Sequence, residues 1–150
     1  MFHFSLEPVL RHRKLIEEEL QKEMAATKRR LLTEEEKLRA LEETKSRCLR
    51  ELQEKQAKGI RALDISLYSD FIGRVTTQIG AQRKTISGIE RSLAKKRKKL
   101  VQAMKERKTV ETLKKNRLKA FERDARRKEQ KWIDEIALTR FKKPENTLSK

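Results

Sequence analysis

The sequence predicts an all-α protein: two long helices forming an antiparallel coiled-coil hairpin, the second helix longer than the first. Three observations predict it. Gly and Pro total only six in 150 residues, and the dominant types, Leu, Glu, Lys, Arg, Ala and Gln, are strong helix formers. Apolar residues recur three and four apart through most of the chain, the spacing of a coiled-coil seam. That periodicity fails once, around Gly59. With 42% of residues charged and 35% hydrophobic, the chain cannot bury a globular core, so the seam must carry nearly all the stability and the pair is expected to be a rod.

Helix one is expected over about residues 5–57. Ser5 suits an N-cap, and Pro8 falls in the first turn, where amides have no intrahelical partner. Leu6, Leu10, Leu20, Met24, Leu31, Leu38, Leu41, Cys48 and Leu52 occupy a and d positions of one heptad frame. Arg13, Glu17, Glu34 and Lys45 fall on the same seam, which suits one side of an irregular pair better than a symmetric zipper. Outside the seam, Glu7/Arg11, Glu18/Lys22, Glu35/Arg39, Glu43/Arg47 and Glu51/Lys55 are spaced as i,i+4 ion pairs.

The segment KGIRALDISLY loses the periodicity and holds Gly59, so a turn is expected over about 58–66, with Asp64 or Ser66 as the next N-cap. Helix two is expected over about 67–141. Its seam runs through Ile72, Val75, Ile79, Ile86, Ile89, Leu93 and Leu100. It then slips by four residues, a stutter, and resumes at Met104, Leu118, Ala125 and Trp132, with Phe121 and Ile136 beside it. Pro144 is expected to end the helix, leaving residues 1–143 as a single hairpin domain and 144–150 as a flexible tail. With the turn centred near 62, Leu6 lies opposite about residue 118, so helix two outlasts its partner by roughly 20 residues, about 30 Å at 1.5 Å per residue. This overhang holds KWIDEIALTRF, residues 131–141, with the chain's only Trp.

The net charge is +17, and it is unevenly placed. Residues 1–57 carry 13 Lys/Arg against 12 Asp/Glu, whereas residues 68–150 carry 25 against 10, which points to an acidic partner. Catalysis finds no support: no Gly-rich phosphate loop is present, and consecutive Glu17, Glu18 and Glu19 point in different directions on a helix. His3, His12 and Cys48 are too scattered for a metal site, and Cys48 reads as a small seam hydrophobe. The chain is therefore read as non-enzymatic, with no cofactor and no metal. No apolar run approaches the roughly 20 residues of a membrane span, and the opening MFHFSLEPVLRHRK lacks the pattern of a signal peptide. A soluble cytoplasmic protein is expected.

Three surfaces invite a partner. The run RSLAKKRKKLVQAMKERK, 91–108, has nine bases and one acid. It reads as a face balancing acidic neighbours or as a docking surface for an acidic partner, and it lacks the aromatics that stack bases. Just after the turn, Phe71 and Val75 with Gln78 and Gln82 form a stripe at helical spacing, beside Gly73 and Gly80. Tyr68 and Phe71 also suit the role of capping the hairpin's end. On the overhang, the stripe of Leu118, Phe121, Ala125, Trp132, Ile133 and Ile136 calls for a cover, either a partner or the chain's own Phe2 and Phe4.

Phe4, Leu6, Val9, Leu10 and Arg13 near the start, Tyr68, Phe71, Ile72 and Gln82 after the turn, and Glu129, Gln130, Lys131, Asp134, Glu135 and Ile136 near the end together resemble the FliJ family of the bacterial flagellar type III export apparatus. The resemblance implies a stalk-like hairpin that binds the hexameric export ATPase, contacts the cytoplasmic domain or linker of the membrane export gate, and escorts export chaperones. It implies an export-gate contact at Phe71, Val75, Gln78 and Gln82. The ATPase contact is then expected on Arg123, Arg126, Arg127, Lys131, Trp132 and Ile136. Such a protein is cytoplasmic and peripheral to the inner membrane, reaching it only through the export apparatus, and no nucleic acid is expected. The alternative is a basic coiled-coil protein with a nucleic-acid-binding or scaffolding role.

Overall fold

Two helices make up the structure, a computed structural model that describes residues 1–148. Helix α1 spans Glu7–Lys58 and α2 spans Ala62–Leu148; among the described residues there is no strand. The fold is the expected all-α hairpin with the longer second helix.

The elements begin and end differently from the sequence reading, for local reasons. The amide of Leu10 bonds the carbonyl of Leu6 at 3.0 Å and that of Glu7 bonds Phe4 at 3.1 Å, so Leu6, not Ser5, stands at the helix start. The Ser5 hydroxyl instead accepts from Arg117 Nη1 at 3.1 Å. The connection is only residues 59–61. Gly59 adopts φ 89°, the left-handed conformation that closes a helix end, and its amide bonds the Gln56 carbonyl at 3.3 Å. That cap turns the chain within three residues, so α2 starts before Asp64 and Ser66. Asp64 lies in its first turn, where a carboxylate offsets the positive end of the helix dipole. Pro144 does not stop α2, which continues to Leu148. Proline's fixed φ is itself helical, so an interior proline costs one hydrogen bond and crowds the carbonyl four residues back without having to end the helix. Of the expected tail, Ser149 and Lys150 lie outside the described residues.

The chain divides into two compact units, Ile16–Gln102 and Met1–Leu15 with Ala103–Lys150. In the first, Val75, Ile79, Ile86 and Ile89 of α2 are buried, and Leu31, Leu38, Leu41 and Cys48 of α1 are half-buried. Every apolar seam position read in α1 is buried or half-buried, and so are Arg13, Glu17, Glu34 and Lys45. In the second unit Leu10 and Phe4 are the most buried side chains of the N-terminal segment. Two members of the expected i,i+4 pairs take other partners. Glu7 reaches Lys114 at 2.8 Å, and Lys55 donates to the Tyr68 hydroxyl at 2.7 Å, since exposed charges hold no single geometry strongly.

Candidate functional site: two surfaces on the second helix

The residues expected at the export gate lie on α2 within the unit Ile16–Gln102, and the structure splits them. Val75 is only 4% exposed and belongs to the core. Gln82 is half-buried, and its amide donates to the Glu34 carbonyl at 2.9 Å and to the Glu34 carboxylate. That hydrogen bond, with Lys37 next, holds the Glu34 carboxyl below the usual carboxylate range. Phe71, 38% exposed, and Gln78 face solvent. The stripe divides because positions three and four apart mark a seam as readily as a surface.

Around Phe71 the surface is apolar and shallow. Phe71, Leu67, Tyr68 and Cys48 line a cleft of about 230 Å³, with the Arg74 guanidinium 6.0 Å from the Phe71 ring centroid. Lys55 sits 5.0 Å from the Tyr68 ring centroid while donating to its hydroxyl, which raises the Lys55 pKa. Gln78 lines a separate groove of about 570 Å³, whose walls include Ala40 and Thr44 on α1 and Ala81 and Thr85 on α2.

In the other unit, the N-terminal segment covers the start of the overhang. The Phe2 and Phe121 rings lie 5.6 Å apart, tilted by 54°. Arg117 stands 5.6 Å over the Phe4 ring while donating to Ser5, and Arg13 pairs with Glu106. The aromatic cover foreseen for the stripe therefore reaches Phe121. Further along α2, Arg123, Arg126, Arg127 and Lys131 are exposed and Ile136 is half-buried. Trp132 is 63% exposed. Leu138 and Phe141 are exposed as well, the latter to 79%, and both fall off the heptad positions that defined the stripe. With Asp134 and Ala137 they line a cleft of about 380 Å³. The six residues expected at the ATPase thus lie on one stretch of α2, bases and apolar groups interleaved.

Among the described residues, no cluster of three His, Cys, Asp or Glu side chains is placed to hold a metal ion. No described helix is long and apolar enough to cross a membrane.

These features find relatives. The chain is similar in fold to the structure of a putative YscO homolog, CT670, from Chlamydia trachomatis, with a TM-score of 0.62 and 24% identity, covering 91% of this chain and 93% of that one. No curated protein matches it. The family model described as flagellar FliJ protein matches residues 2–146. With nearly its whole length matched, the chain belongs to the flagellar FliJ protein family, a family of type III export components.

Proposed function

We propose that this export component is a non-enzymatic coiled-coil stalk that binds and stimulates the hexameric flagellar export ATPase, contacts the cytoplasmic linker of the membrane export gate, and takes part in chaperone escort at the inner face of the membrane. The observation that carries the reading is the uncovered end of α2, where Trp132 stands 63% exposed among Arg123, Arg126, Arg127 and Lys131. A tryptophan this exposed is unfavourable in water, and with bases along the same stretch of helix it has the composition of an interface anchor. A single asymmetric hairpin inside a sixfold ring meets each subunit differently. It can therefore bias the ring's nucleotide states by differential contact, without chemistry of its own.

Trp132→Ala is expected to weaken binding to the ATPase by about 2 kcal/mol, roughly 30-fold, with helicity by circular dichroism unchanged. Full ATPase stimulation by this variant at limiting concentration would remove the overhang from the interface. Phe71→Ala is expected to weaken capture of the gate's cytoplasmic fragment by about 1 to 2 kcal/mol and to leave ATPase stimulation intact. A loss of both activities would place the gate contact elsewhere.

A further inference from the structure

The antiparallel register brings together two basic segments that are far apart in sequence. Segment 22–30 of α1 is KEMAATKRR and segment 91–99 of α2 is RSLAKKRKK; together they hold ten bases and a single acid, Glu23. Both lie within the unit Ile16–Gln102, and they meet where Lys96 Nζ donates to the buried Thr27 hydroxyl at 2.6 Å. Nine residues of each helix, about 13 Å of axis, thus form one electropositive belt. Lys28, Arg29 and Arg30 on one helix and Arg97, Lys98 and Lys99 on the other are all exposed. Consecutive helical residues point about 100° apart, so the charge emerges on several sides.

Like charges this close repel within a Debye length of about 8 Å, and a single acid against ten bases leaves most of that charge unbalanced within the belt. The side chains decide which anion it suits. Neither segment carries an aromatic residue, so a nucleic-acid strand finds no stacking platform. No large apolar side chain of either segment is exposed, which removes both the wedge that seats a helix in a lipid interface and the anchor that a folded protein surface uses. Bases pointing several ways also suit a flexible ligand better than a flat one. We propose that the belt is a docking site for an acidic, apolar-poor polypeptide segment of a partner protein, held by charge alone and strongly sensitive to salt. This stands apart from the ATPase reading, which rests on the overhang.

The test uses the full chain and a labelled polyglutamate peptide of about 16 residues, long enough to pass round both helices, followed by fluorescence anisotropy at about 0.1 M salt. The variant Lys95→Gln/Lys98→Gln/Lys99→Gln is compared with Lys105→Gln/Lys115→Gln/Lys119→Gln, which removes the same charge outside the belt. Circular dichroism confirms that both remain helical. The belt variant is expected to weaken peptide binding about tenfold, the sum of three modest ion pairs, and the control less than about twofold. Equal weakening by both variants overturns the belt as a site, because total charge then suffices. An oligouridylate of equal charge that binds more tightly than the peptide, with the same dependence on Lys95, Lys98 and Lys99, overturns the polypeptide reading in favour of nucleic acid.

Discussion

Glu34 is a carboxylate held on a helix seam by a neutral partner, the Gln82 amide. The heptad frame places it on the α1 seam, and it is half-buried there, but the group that satisfies it, Gln82, was read in the sequence as surface. The carboxyl pKa of Glu34 is lowered first by that hydrogen bond, and that of Glu7 is lowered first by the bond from Lys114. A carboxylate whose folded pKa lies below its unfolded value of about 4.3 adds stability above that pH and loses it as pH falls through the folded value. Lys55, raised by Tyr68, has the opposite sense: its contribution is present below about pH 10.4 and disappears as pH rises through its folded pKa. Glu34→Gln is therefore expected to shrink the drop in melting temperature between about pH 5 and pH 3. An unchanged acid limb would show that Gln82 contributes nothing to the proton balance.

Among the elements, two glycines have opposite roles. Gly59, at φ 89°, lets α1 end and α2 begin within three residues, and a Cβ there is strained whatever the space around it. Gly59→Ala is expected to cost about 1 to 2 kcal/mol. Gly80 sits inside α2, and a Cβ at that position meets nothing within 4 Å. Gly80→Ala is expected to stabilise by about 0.5 to 1 kcal/mol. Denaturant midpoints with an unchanged m-value separate the two; destabilisation by both would mean that Gly80 is needed for packing. The punctuating role of Gly59 was legible in the sequence. The length of the turn was not, because a glycine cap does in one residue what the loss of periodicity spreads over several.

For the whole molecule, the dominant quantity is the charge of +17. Surface ion pairs such as Arg83–Glu42 at 3.1 Å are worth only about 0 to 1 kcal/mol each, whereas the excess of bases repels itself throughout the folded chain. Melting temperature is accordingly expected to rise by several degrees between about 20 and 300 mM salt as screening grows. A melting temperature that falls instead would mean that attractive pairs outweigh the repulsion. The family, too, was legible at this scale, from motifs at both ends and after the turn, and the match over residues 2–146 bears it out.

The sequence by itself determined the helices, their seam and their unequal lengths, because periodicity and propensity are local properties that need no partner to be read. Only the tertiary structure decided which seam positions are covered. Phe121 receives Phe2, whereas Trp132 remains exposed, and residues 22–30 meet 91–99. The position of the turn gives the register to within a few residues, but coverage also depends on how one helix packs on the other, which the spacing within a single helix does not show.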